Sequence, residues 1–175
     1  MNFCKRHGFC FFLILGLMLV LAPAQEKKDD ILETDDVIRV KVLADVRWTH
    51  TGIEVREGEE FRFAASGGIS LQKGNPMAYC DPDGYKLKTV QQPLPDWNIG
   101  ALIGRVVHLV SVEIDEETGE EVRNEVEEKF YIGSENRVKM PLSGHLFLGI
   151  NENVVDDNSG QYEVKMYRVA GQKKT

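Results

Sequence analysis

The chain has 175 residues, with 28 acidic against 21 basic side chains, a formal charge of −7 and 42% hydrophobic residues. That length supports one domain with a real core. The acidic balance, without a Lys/Arg cluster in the folded part, argues against nucleic acid and anionic lipid as partners.

The first elements in chain order concern export. A short basic stretch, Lys5-Arg6-His7, precedes an apolar run from Phe11 to Leu21 and the small-x-small pattern Ala22-Pro23-Ala24. This is the pattern of a secretory signal peptide, and the run is shorter than the roughly 20 residues that span a bilayer. Cleavage after Ala24 is expected, giving a secreted or periplasmic protein with no stable membrane insertion. Cys4 and Cys10 leave with residues 1–24, so the mature chain keeps Cys80 alone and no internal disulfide can form. Residues 25–36 (QEKKDDILETDD) have little to bury and read as a flexible linker. Residues 37–169 are the expected domain and 170–175 a C-terminal tail.

Past Asp36 the apolar residues alternate with polar ones, the period-2 pattern of half-buried strands. Ile38, Val40 and Val42 fall on one side of the first segment, with Arg39 and Lys41 on the other. Strands follow at 53–55, 61–64, 101–107, 110–114, 121–126, 137–140, 145–150 and 162–167, with Gly or Pro in most gaps. The stretch 115–129 (DEETGEEVRNEVEEK) is rich in helix formers but reads better, with Val112, Ile114, Val122 and Val126, as a long charged hairpin over 107–128. Trp48, at a strand start, is expected in the core. About nine short strands with these turn signals predict an all-β, antiparallel β-sandwich.

Two loops stand out. Residues 72–98 lack periodicity, and a loop of that length in a compact domain tends to be functional or disordered. It holds Asp81-Pro82-Asp83-Gly84, Tyr85 and Trp97, the aromatics being candidates either to stack on a ligand or to anchor the loop. The second loop, Asn151 to Gly160, lies between two expected strands, and seven of its ten residues carry side-chain oxygen. Hard cations such as Ca²⁺ take six to eight oxygen ligands, so Asn151, Glu152, Asp157 and Asn158 could serve one ion together. The same residue types also make an ordinary polar turn, and the spacing is not that of an EF-hand. His50, His108 and His145 form no metal-binding pair at helical spacing, and no nucleophile, phosphate-loop or dinucleotide motif is present. The chain is therefore read as a non-enzyme.

The stretches TGIEVREGEEFRFAASG (Thr51–Gly67), PDG (Pro82–Gly84), GALIGRV (Gly100–Val106), FYIGS (Phe130–Ser134), PLSGHLFLGIN (Pro141–Asn151) and DNSG (Asp157–Gly160) resemble, in this order, the PA-IL-like family of exported, calcium-dependent, galactose-binding lectins. The resemblance implies a β-sandwich of the jelly-roll or galactose-binding-domain-like kind, in which a Ca²⁺ ion in the 151–160 loop coordinates two sugar hydroxyls. It implies Glu152, Asp157 and Asn158 as side-chain ligands, a mid-loop carbonyl at Val155 or Asp156, and another carbonyl near Leu71. Asp81 occupies the place of a sugar-contacting His, and Glu152 that of a shorter Asp. Ligand contacts are thus expected at Asp81, Glu152, Asp157 and Trp97, to carbohydrate with galactose as the first guess. The hairpin 107–128 has no counterpart in the family pattern. A single such contact is weak, so multivalency, as in a homo-oligomer, belongs to the expectation. The alternative is an exported interaction domain whose loop is a degenerate, non-binding turn.

Overall fold

In the computed structural model, residues 37–169 are described. The expected signal peptide, the linker and the tail fall outside them. Nine strands are present: β1 (Ile38–Leu43), β2 (Trp48–Val55), β3 (Glu60–Ser70), β4 (Tyr79–Cys80), β5 (Leu102–Ile114), β6 (Glu121–Tyr131), β7 (Glu135–Lys139), β8 (Gly144–Ile150) and β9 (Ser159–Arg168). The single described helical turn is a 3₁₀ segment, Pro76–Ala78. Among the described residues no helix is long and apolar enough to cross a membrane.

The strands form two antiparallel sheets, as the period-2 pattern required. One runs β1-β9-β3-β4, with β7 also paired to β3; the other runs β2-β8-β5-β6. Their facing sides make the core. Tyr162, Val164 and Met166 of β9, and Phe61, Phe63 and Ile69 of β3, are buried against Leu102 and Val106 of β5 and Leu146 and Leu148 of β8. Each such side chain contributes about 1.5–3 kcal/mol of apolar burial, and this core has no disulfide to assist it: Cys80 is free and buried.

Trp48 is not in that core. Register places it beside Gly149, Ile103 and Tyr131 on the outer face of the four-stranded sheet. Its ring crowds Gly149, where a Cβ would come within 2.7 Å of it. The next row on this face is His50, Phe147, Arg105 and Lys129. The Arg105 guanidinium lies 4.6 Å from the Trp48 ring centroid and 4.8 Å from that of Phe147, and donates to Glu127 at 2.7 Å. The aromatic signal was real, but a residue at a strand start can face either side, and the one-residue phase put Trp48 outside.

The segments expected as separate strands at 101–107 and 110–114 are one thirteen-residue strand. Val110 sits in a register irregularity between Leu109 and Ser111, a bulge that interrupts the alternation without ending the pairing. β8 leaves β5 at Val107, so from His108 onward β5 and β6 form a two-stranded ribbon that projects beyond the sandwich.

Candidate functional site

The end of the sandwich opposite the ribbon gathers three loops: 71–78, 81–101 and 151–158. Backbone bonds tie them together. The Lys73 N–H donates to the Asp157 carbonyl at 2.6 Å, the Asn151 N–H to Ala101 at 2.8 Å, and the Gly100 N–H to Asn151 at 3.2 Å. Beneath them the buried Tyr162 hydroxyl lies 2.8 Å from the Asp81 carbonyl and 2.9 Å from that of Gly100, and 3.6 Å from the Cys80 sulfur. Burial pushes the Cys80 thiol above its usual value, with the nearby charges of Asp81 and Glu152 adding to it against the Tyr162 hydrogen bond. The reference points expected from sequence therefore share one end of the fold.

Asn151, where β8 ends, is fully buried. Its amide donates to the carbonyls of Leu94 and Asn98, each at 3.0 Å, and its oxygen accepts from the Leu94 N–H at 2.8 Å. A buried amide with this many backbone partners holds the long loop onto the strand end rather than offering itself to a ligand. The loop is pinned a second time at Asp83, whose carboxylate accepts from the Ser134 N–H at 2.8 Å, the Ser134 hydroxyl at 2.7 Å and the Tyr131 hydroxyl at 3.0 Å. Partial burial works against the Asp83 charge, but these donors prevail and lower its pKa. Burial, with the Asp83 carboxylate beside it, pushes the Tyr131 phenol up to about 12. Trp97 stacks on the Tyr131 ring, 3.8 Å between centroids and 7° from parallel. That makes Trp97 an anchor of the loop, with its other side partly exposed.

Within the 151–160 loop the structure brings Glu152 and Asn158 together. The Asn158 amide nitrogen donates to Glu152 Oε2 at 2.7 Å and to the Ala44 carbonyl at 3.3 Å. Asn158 is buried, and its Oδ1 has no hydrogen-bond partner. Glu152 is half-buried; burial raises its pKa, opposed by the Asn158 hydrogen bond and reinforced by the charge of Asp157. Asp156 and Asp157 are exposed. The Asp157 carbonyl is taken by Lys73, and the Val155 carbonyl accepts from the Asn158 N–H at 3.0 Å. Leu71 lies across the same end, its methyls against Gly100, where a Cβ would approach to 2.9 Å.

These oxygens suit a hard cation in part. An orphaned buried amide oxygen beside a half-buried carboxylate is a donor set that a cation would satisfy. Among the described residues no three His, Cys, Asp or Glu side chains gather as a metal site, so an ion here would draw on amide and backbone oxygens for the remainder. Asp81 is exposed, and its Oδ1 accepts from the Asp83 N–H at 3.0 Å, closing a turn. A cleft of ≈ 470 Å³ beside it is lined by Tyr79, Cys80, Asp81, Gly84, Tyr85 and Lys86.

Sequence reasoning did not find the Ala44 carbonyl, the Tyr162 hydroxyl or the anchoring role of Asn151. Only a polar residue directly after the apolar run Leu146–Ile150 hinted at the last of these.

No family model and no curated protein matches the sequence. Among solved structures, an EclA N-terminal domain, a PllA-like lectin, is similar in fold, with a TM-score of 0.50 and 21% identity over 74% of this chain and 94% of that one. At that identity the likeness establishes the fold alone, a two-sheet antiparallel β-sandwich.

Proposed function

We propose that this chain is an exported carbohydrate-binding protein that takes sugar at the loop-bearing end of the sandwich through a Ca²⁺ ion in the 151–160 loop. The observation that carries the reading is Asn158 Oδ1, buried without a partner beside the half-buried Glu152 carboxylate. The lectin fold of the solved neighbour supports it. Glu152 and Asn158 are the inner ligands, Asp157 the outer one, and the carbonyls of Asp156 and Leu71 the backbone contributors. A bound calcium ion supplies open coordination positions that sugar hydroxyls fill. Asp81 accepts hydrogen bonds from the sugar at the rim, and Tyr79 and Tyr85, exposed in the adjoining cleft, offer apolar faces to the ring. Galactose is the first sugar to test.

The test is a melting curve with Ca²⁺ against chelator, followed by a glycan array. A ligand held only by the folded state stabilises it by about 2.7 kcal/mol at a hundredfold excess over its dissociation constant. Asp157→Ala with Asn158→Ala removes two side-chain ligands outside the hydrophobic core, so it abolishes both the calcium-dependent rise and the sugar signal. A wild type indifferent to Ca²⁺ and to sugars refutes the reading.

A second reading has an observation of its own. The Asn158–Glu152 hydrogen bond closes the loop without any ion, which suits an exported interaction domain whose loop is a plain turn. That domain would melt identically in Ca²⁺ and chelator. Under either reading the mature protein begins at Gln25, and intact residues 1–24 in the secreted or periplasmic fraction by mass spectrometry would refute export by cleavage.

A further inference from the structure

The outer face of the four-stranded sheet sorts its side chains by strand. β2 and β8 contribute rings: Trp48 and His50, then Phe147 and His145. The His50 ring centroid lies 4.8 Å from that of Phe147 and 5.7 Å from that of His145. β5 and β6 contribute charge: Arg105, Glu127 and Lys129. Arg105 stands between the two sets, its guanidinium against the Trp48 and Phe147 rings. Two clefts adjoin there. The first, of ≈ 410 Å³, runs from Trp48 and Arg105 to Arg47, Lys129 and Pro93 of the long loop, and shares no residue with the Glu152–Asn158 pair. The second, of ≈ 330 Å³, continues between Phe147, His50 and His145 on one bank and Arg123 and Glu125 on the other. From Lys129 to Arg123 the groove is roughly 20 Å long, at about 3.3 Å per residue.

Charge is spread unevenly along it. The chain carries −7 overall, yet the first cleft sets Arg47, Arg105 and Lys129 against Glu127 alone. Glu127 accepts from both Arg105 and Lys129, so one carboxylate serves two cations. The Arg47 guanidinium donates to a neutral acceptor, the Asn153 carbonyl, at 2.8 Å. Arg105 donates a hydrogen bond from Nη1 alone, and its buried Nε has no partner. A guanidinium carries five N–H donors in a rigid fork, and this one is held against two rings before any ligand arrives. An anion entering the first cleft therefore meets surplus positive charge and donors to spare. In the second cleft Arg123 is offset by Glu121, at 2.8 Å, and by Glu125, so that stretch offers rings without net charge.

The position of the groove says what kind of anion. An extended peptide docks on a sheet by adding a strand to a free edge, where its main chain finds hydrogen bonds. Arg105 and Phe147 instead sit on β5 and β8, interior strands paired on both sides, so the groove offers side chains only. A ligand that fits must bring acid groups for the charged bank and flat apolar faces for the aromatic one. We infer that this face is a second binding site, for a saccharide bearing carboxylates: one acid group sits among Arg47, Arg105 and Lys129, and the neighbouring sugar rings lie along Phe147, His50 and His145. The site uses no calcium and does not rest on the 151–160 loop.

The experiment is titration calorimetry of the purified protein in chelator, so that failure of the calcium reading leaves it intact. The probes are oligogalacturonate and oligoglucuronate, their methyl esters, and an oligoglutamate peptide of equal charge. At least one uronate is expected to bind, more weakly as salt is added, with its ester at least about tenfold weaker. Arg47→Gln and Arg105→Gln should each weaken binding by about tenfold or more. Arg39→Gln, which removes a cation from β1 of the other sheet, should leave it unchanged. Because Arg105 packs against two rings, its variant is checked by circular dichroism and melting; the exposed Arg47 carries the test alone if that variant does not fold. Binding of neither uronate overturns the inference, and so does an ester that binds as well as its acid. Equal losses in Arg47→Gln and Arg39→Gln, or no loss in Arg47→Gln, would overturn the site. Oligoglutamate binding as tightly as the uronates would overturn the saccharide.

Discussion

Asn151 holds the candidate site together, and its loss has a calculable cost. Replacing it with Ala removes two donations, to Leu94 and Asn98 at 3.0 Å each, and one acceptance from Leu94 at 2.8 Å. Each is worth about 1 kcal/mol net, and more where the abandoned partner stays buried. A loss of about 3 kcal/mol follows, which for a domain of this size lowers the melting temperature by roughly 10 °C. Because the 84–99 segment is held by these bonds while the strands are not, limited proteolysis should cut there first in the variant. The assay is urea unfolding with a parallel protease time course. Asn151→Asp is the sharper control: it keeps the acceptor but turns a carboxylate oxygen toward two carbonyls, and should cost at least as much as Ala. A loss below about 1 kcal/mol in Asn151→Ala, with unchanged cleavage sites, would refute the view that this one amide fastens the loop.

Three further outcomes follow from the geometry. Glu152 has a folded pKa raised above the usual 4.5 by burial, so its share of stability is present below 4.5 and is lost as pH rises through the folded value. In chelator, Glu152→Gln should therefore melt above wild type at neutral pH, with the gap closing in acid; equal melting at neutral pH would contradict this. Gly104 faces the core, where a Cβ would come within 2.4 Å of the Phe130 ring, so Gly104→Ala should cost about 1–3 kcal/mol by overpacking in a denaturant titration. Cys80 is buried, with its thiol pKa pushed up, so a thiol reagent should label the native protein far more slowly than the urea-unfolded chain; equal rates would show that the thiol is accessible.

Much of this molecule could be read from the order of its residues. The alternation in 38–42, 61–64 and 162–167 depends on neighbours along the chain, because successive strand side chains point to opposite faces. The placing of Val112, Ile114, Val122 and Val126 exposed the long charged hairpin, and composition, equally local, exposed the oxygen-rich turn at 151–160. Partnership across the fold was not local. Nothing near Asn158 in sequence shows that its amide would meet Glu152 and the carbonyl of Ala44, or that its oxygen would be buried without a partner. Nothing near Trp97 shows that Tyr131 would take one face of its ring, and nothing near Trp48 shows on which side of its sheet it would stand. Those outcomes depend on sheet order and on a register phase of one residue, which moves a side chain from core to surface. The strands were written in local periodicity; the meeting of three loops at one end, and the ribbon left without cover at the other, were decided only when the two sheets closed on each other.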